Sequence, residues 1–274
     1  MKIGNRDFEP EYKPYIMGIL NMTPDSFSDG GKWETKEKAL KHVEEMIAEG
    51  MDLLDIGGES TRPGYTLLSE EEEIRRVVPV IEAVKAEFDI PVSLDTYKAT
   101  VAEAGLRAGA DLVNDIWGLR YERESPGAMA RVIAKSGAAC CLMHNRRHMD
   151  YGDFRKDVTA DLTESLRIAK AAGIRDDKII LDPGVGFGKS YEQNLEVLNH
   201  LEEWHSLGYP LLLGSSRKSV VGRTLALPVA ERLEGTLVTT VFAVLKGYAF
   251  VRVHEVKENL RAIRMTRAIL GAEK

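Results

Sequence analysis

The chain has 274 residues, 37 Lys plus Arg against 43 Asp plus Glu, a formal charge of −6 and 44% apolar residues. That apolar share supports a large core and excludes a mostly disordered chain, and the acidic balance argues against a nucleic-acid binder, which would concentrate basic charge. The length suits one α/β barrel, and no apolar run approaches the roughly 18 residues of a membrane span.

In chain order, the opening segment MKIGNRDFEPEYKPY lacks an apolar signal core, so secretion is not expected. Short β-prone runs follow at 15–20 (YIMGIL), 52–56 (DLLDI), 90–94 (IPVSL) and 111–113 (DLV). The second half adds 138–143 (AACCLM), 178–181 (KIIL), 210–213 (PLLL) and 249–253 (AFVRV). Amphipathic stretches lie between them. In residues 36–50, Leu40, Val43 and Ile47 share one face and Gly50 closes the end. The next opens on a capping box, Ser69 with Glu72, and repeats Ile74, Val77, Val78 and Ile81, with Pro79 predicting a kink. The last runs from Glu255 to Leu270. Near-continuously apolar strands separated by helices are parallel strands covered on their outer face. Eight such units predict a single (β/α)8 TIM barrel, one domain over residues 1–274 with its core at about 15–270. The only cysteines, Cys140 and Cys141, are neighbours that pack in the fifth strand, and a reducing cytoplasm fits them.

Polar residues cluster just after the strands: Asn21, Asp55, Asp95, Asn114 with Asp115, His144, Asp182, residues 215–218 (SSRK), and Arg252 with His254. In a closed barrel these groups converge on one mouth, where barrel enzymes place their chemistry. Each alone reads as a helix cap or turn residue, and the set could be an ion-pair network closing the barrel. The carboxylates and amides Asp95, Asn114 and Asp182 suit a flat heterocycle rich in N–H donors, while Lys218, Arg252 and His254 suit an anion. Other motifs fail. DPGVGFGKS has Pro183 where a P-loop needs glycine, and its glycines miss the dinucleotide spacing. His144 and His148 have i, i+4 spacing, but MHNRRHM reads as a loop and not as a metal-binding helix.

MGILNMTPDSFSDGG (residues 17–31) and DIGGESTRPG (55–64) resemble the dihydropteroate synthase signature, and SLDTYKATVAEAGLRAGADLVNDIWG, LDPGVGFGKSYEQN, GSSRKS and VRVHEV follow in that family's order. The match spans about Tyr15 to Leu270. Glu255 and Ser215 depart from the family's usual Asp and Thr, at positions not expected to touch substrate. The resemblance implies condensation of 6-hydroxymethyl-7,8-dihydropterin pyrophosphate with p-aminobenzoate to 7,8-dihydropteroate and pyrophosphate. It implies that Asp95, Asn114, Asp182 and Lys218 hold the pterin edges, that Ile116, Met143 and Phe187 line its faces, and that Arg252 stacks on the ring. Asn21, Arg252 and His254 are implied to bind pyrophosphate, with Asn21 on Mg²⁺. Thr61, Arg62 and Pro63 are implied in a p-aminobenzoate pocket where sulfonamides compete, with the backbone at Ser219 a donor for its carboxylate. The loops 24–31 and 59–64 read as lids over substrate, and the family usually assembles as a homodimer through outer helices. The competing readings are a pterin-dependent methyltransferase of the same fold, which needs no pyrophosphate site, and a catalytically silent pterin-binding paralogue.

Overall fold

Successive side chains on a β-strand point to opposite faces, so a barrel strand needs one apolar series for the surrounding helices and a second for the interior. The computed structural model describes residues 1–9, 14–22, 32–59, 67–121 and 125–271, with the backbone alone at 32–35. Residues 24–31 and 60–64, including Thr61, Arg62 and Pro63, lie outside the described residues. The chain enters through an antiparallel hairpin, β1 (Lys2–Ile3) and β2 (Arg6–Asp7), turned at Gly4 with φ +58°. Two-residue strands are too short for periodicity to reveal, and the sequence reading missed them.

The eight predicted strands all form: β3 (Tyr15–Asn21), β4 (Leu53–Gly57), β5 (Val92–Asp95), β6 (Leu112–Asp115), β7 (Ala139–Met143), β8 (Ile179–Asp182), β9 (Leu212–Leu213) and β10 (Phe250–Val253). They pair in parallel in the order β8-β7-β6-β5-β4-β3-β10-β9. A parallel bridge between Leu181 and Leu211, with Leu181 N donating to Pro210 O at 2.9 Å, joins the two ends. The result is a TIM barrel, as expected.

The two side-chain series separate cleanly. Ile16, Leu20, Leu54, Ile56, Leu94, Val113, Leu142, Leu181 and Val251 face outward into the main core beneath the helices. Met17, Leu53, Leu112, Cys141, Ile180, Leu212 and Phe250 fill the interior, where Ile3 and Phe8 of the N-terminal segment plug the amino end. Cys140 belongs to the outward series and Cys141 to the inward one, and both are fully buried thiols, as the sequence predicted.

The helices are α1 (Lys32–Glu49), α2 (Glu70–Glu87), α3 (Ala99–Arg107), α4 (Ala128–Ser136), α5 (Phe154–Ala171), α6 (Tyr191–Asn199), α7 (Ser219–Leu225), α8 (Leu233–Leu245) and α9 (Val256–Gly271). α2 runs unbroken through Pro79, which is exposed, so water can satisfy the carbonyl its missing N–H leaves behind. Half of its predicted capping box forms. Ser69 Oγ accepts from Glu72 N at 3.2 Å, but Glu72 turns its carboxylate to Arg76 at 2.8 Å. The complete box is at α6, between Ser190 and Gln193. Among the described residues no helix is long and apolar enough to cross a membrane.

Candidate active site

One step above the apolar interior layer, the inward positions turn polar. Leu53 is followed two residues on by Asp55, Ser93 by Asp95, Leu112 by Asn114, Ile180 by Asp182, and Phe250 by Arg252. The register carries this layer around the barrel: Asn21 lies beside Gly57, Gly57 beside Asp95, and Asp95 beside Asn114. Residues from six strands thereby meet at the carboxyl end.

An ion-pair bridge crosses this layer. Arg252 donates from Nε to Asp55 Oδ2 at 2.6 Å and from Nη2 to Asp95 Oδ2 at 2.7 Å. Asp55 is fully buried and also accepts from Ser93 Oγ at 2.5 Å and Asn114 Nδ2 at 3.4 Å. Burial opposes the charge on Arg252, but the two carboxylates more than reverse this and raise its affinity for its proton. The ion-pair network read as the plain alternative is therefore present. It leaves Arg252 Nη1 without a hydrogen bond among the described residues, and leaves Asp182 and Lys218 outside it.

Asp182 is buried. Its Oδ1 accepts from Gly184 N at 2.7 Å, while Oδ2 faces Gly214, where a Cβ would stand at 3.4 Å. Burial raises its affinity for a proton, and Lys218 counters this. Lys218 reaches back from the loop after β9 to Val185 O, with Nζ 4.4 Å from the centre of the Phe187 ring. Burial pushes its ammonium down to about 8, against the pull of Asp182. Burial likewise pushes Asp95 up to about 7; Arg252 counters this and Asp55 adds to it. Buried carboxyl groups and an ammonium whose proton affinities are shifted by burial and by one another, gathered at a barrel mouth, mark this layer as a candidate site.

An apolar wall stands beside these groups. Ile116 and Met143 are buried with Tyr97, and Phe187, Trp117 and Tyr121 pack against them. Ile116, Met143 and Phe187 thus belong to one apolar cluster. His254 Nδ1 lies 2.9 Å from Ser216 Oγ, and Ser219 begins α7 and is exposed.

Two strand-end residues expected at the mouth point elsewhere. Asn114 faces inward, so Asp115 faces outward, where it accepts from Trp117 N at 2.8 Å and Leu119 N at 2.7 Å. Met143 faces inward, and His144 lies fully buried against Asp161 and Lys189. Two-residue periodicity accounts for both displacements. His148 is exposed, so the two histidines form no metal pair, and among the described residues no group of three or more His, Cys, Asp or Glu could hold an ion.

The sequence reading also overlooked a buried network on the loop after β5. Lys98 Nζ donates to Glu59 Oε2 and Glu73 Oε2, both at 2.7 Å, and to Leu68 O at 2.9 Å. Tyr97 donates its hydroxyl hydrogen to Glu59 Oε1 at 2.5 Å, which fixes the ring in the apolar wall. TYK after a strand carries no periodic signal, and only the partners' arrival from α2 and β4 makes it visible.

Residues 17–254 match the model of the family described as pterin binding enzyme. The chain is 58% identical over 271 residues to the dihydropteroate synthase of Clostridium beijerinckii, covering 98% of this chain and 99% of that one. Among solved structures it resembles the Clostridium difficile dihydropteroate synthase determined in the presence of pteroic acid, with TM-score 0.91, 50% identity and coverage of 96% and 98%. It also resembles the Yersinia pestis dihydropteroate synthase in complex with a sulfonamide drug, with TM-score 0.90, 42% identity and 99% coverage of both chains. Fold, strand-end chemistry and near-complete alignment agree: the chain belongs to the pterin-binding enzyme family, as one of its dihydropteroate synthases.

Proposed function

We propose that the barrel mouth binds 6-hydroxymethyl-7,8-dihydropterin pyrophosphate and transfers its pterin methylene to p-aminobenzoate, giving 7,8-dihydropteroate and pyrophosphate. The observation that carries this reading is the pairing of the polar layer, Asp95, Asn114, Asp182 and Lys218, with the apolar wall of Ile116, Met143 and Phe187. A flat heterocycle with N–H groups at its edges needs both at once. The Asp182 carboxylate accepts N–H groups, Asn114 both donates and accepts, and Lys218 donates to a ring acceptor.

The pyrophosphate belongs at the side of the mouth built by Asn21, Arg252 and His254. Arg252 is held there by Asp55 and Asp95 at fixed geometry, so its Nη1, which has no hydrogen bond among the described residues, is preorganised for an anion. The resemblance also implies Mg²⁺, and the residues fit it. Asn21 offers a hard amide oxygen, and glycine at position 57 leaves room beside it, since a Cβ there would stand 3.9 Å from Asn21 Oδ1 and 3.7 Å from Asp95 Oδ2. Few protein donors suit an ion that keeps its waters and draws other ligands from substrate phosphates. Bound, Mg²⁺ would neutralise charge on the leaving group.

The methylene C–O bond breaks first, with its electron pair leaving on pyrophosphate beside Arg252 and His254. The resulting cation is conjugated through the pterin, and Asp95 and Asp182 favour its charge. The arylamine nitrogen then forms the C–N bond and releases a proton to solvent, so no protein nucleophile is required. Thr61, Arg62, Pro63 and the backbone at Ser219 are assigned to p-aminobenzoate by resemblance, and sulfonamides should compete there.

The whole chain reads as one pterin-binding domain, and two buried, unpaired thiols support a reducing cytoplasm. A homodimer is supported by exposed apolar residues on the last two helices, including Val238, Phe242, Leu245, Met265 and Ile269. The decisive assay supplies the pterin pyrophosphate and p-aminobenzoate with Mg²⁺ and follows both products. Dihydropteroate and pyrophosphate in equal amounts are expected, with turnover abolished by excess EDTA. Full turnover in EDTA would remove Mg²⁺ from the reading, and no dihydropteroate would remove the reading itself.

A further inference from the structure

Two stretches take no part in the mouth: HNRRHM after β7 and the GKS end of the loop after β8. The fold brings them together. Lys189 Nζ lies 2.7 Å from His144 Nδ1, 2.9 Å from Gly184 O and 3.1 Å from Phe187 O. An ammonium has three N–H donors and no acceptor, so these three partners use all of it. His144 Nε2 is in turn 3.0 Å from Asp161 Oδ2. With Nδ1 accepting from Lys189, Nε2 must carry the ring hydrogen and donate it to Asp161. Burial, then the charge on Lys189, hold the imidazole neutral by pushing it down to about 3. Asp161 is itself gripped by Arg146 Nε at 2.6 Å and Arg120 Nη1 at 3.0 Å.

The segment this anchor restrains is otherwise irregular. Between Asp182 and Lys189 it turns through three left-handed glycines, Gly184, Gly186 and Gly188, at φ +73°, +85° and +55°. It carries Phe187, which packs against the apolar wall beneath Lys218. Burial pushes the Lys189 ammonium well below its usual range, while Asp182 and Asp161 pull it back up, and Lys189 in turn favours the carboxylate form of Asp182.

We propose that Lys189, anchored through His144 to Asp161, is a positioning residue that presents Phe187 and supplies charge behind Asp182 for pterin binding. The inference rests on the mouth being the pterin site. Lys189→Met keeps side-chain length and removes the ammonium. It should raise KM for the pterin pyrophosphate about ten-fold, the loss of a charge-assisted hydrogen bond. KM for p-aminobenzoate at saturating pterin should move less than about two-fold. His144→Phe should raise the same pterin KM less, and the double variant no further than Lys189→Met alone, because the two act as one unit. A fall in thermal midpoint with both KM values unchanged would overturn the proposal, as would equal effects on the two substrates. Calorimetry of the wild-type enzyme separates the two readings: absence of pterin binding there refutes the site, and not the anchor. Should Lys189→Met fail to fold, imidazole ¹⁵N spectra of the wild-type enzyme still decide. The neutral Nε2–H tautomer, unchanged between about pH 6 and 8, is expected, and an Nδ1–H tautomer or a titrating ring would overturn the proposal.

Discussion

Replacing Arg252 by methionine asks whether the mouth is held in shape by its own ion pairs. The guanidinium supplies bonds of 2.6 Å to Asp55 and 2.7 Å to Asp95, and Asp55 is fully buried. Without it, Asp55 keeps only Ser93 Oγ and Asn114 Nδ2 as partners among the described residues. Removing one member of a buried pair costs about 3–5 kcal/mol, because the other charge stays uncompensated. The opening of the mouth lets water reach part of the gap, so the expected loss is about 3 kcal/mol, at the lower end of that range. Urea unfolding followed by the three tryptophans should show a lower midpoint with an unchanged slope. Adding Asp55→Asn removes the stranded charge and should recover most of the midpoint. It should not recover turnover, because the leaving group still lacks its donor, and kcat should remain down by about a hundred-fold or more. An Arg252→Met variant unfolding at the wild-type urea concentration would refute the buried-pair reasoning. A double variant with restored kcat would remove Arg252 from the chemistry.

Pterin affinity should pass through a maximum with pH. It should rise as Asp95, pushed up to about 7 mainly by burial, ionises, and fall as Lys218, pushed down to about 8 by burial, loses its charge. Calorimetric titration across that range should show both limbs, with Asp95→Asn abolishing the acid one; a flat profile contradicts the assignment. In the empty enzyme the signs run separately. The folded state holds the Asp95 proton more tightly, so that contribution to stability falls as pH rises through about 7, whereas Lys218 holds its proton less tightly and its contribution rises above about 8. Asp182→Asn should keep the fold, since an amide oxygen can still accept from Gly184 N, but should weaken pterin binding by about 1.5–3 kcal/mol, roughly ten- to a hundred-fold. Unchanged affinity of a pterin analogue for that variant would take Asp182 out of the site.

The eight strands were legible because each is a short apolar run bounded by turn residues, and local pattern suffices to mark such a run. Asp95, Asn114, Asp182, Lys218 and Arg252 were legible as strand-end polar residues with complementary chemistry. Which of them face the same space was not. Asn114 and Asp115 are adjacent in sequence and point to opposite sides of the sheet, and the same alternation sends Met143 to the mouth and His144 into the body of the fold. Sequence also could not show Lys98 with Glu59 and Glu73, or Lys189 with His144, since those pairs join elements 25 to 45 residues apart. Asp55 and Arg252 are separated by 197 positions. Only closure of the barrel brings β4 and β10 onto the two sides of β3, and with them a carboxylate and a guanidinium to bonding distance. Composition and periodicity decide which face of each strand is buried, because burial is a local competition between apolar surface and water. Charge pairing inside the barrel depends on strand register around a closed sheet, a property no segment has by itself.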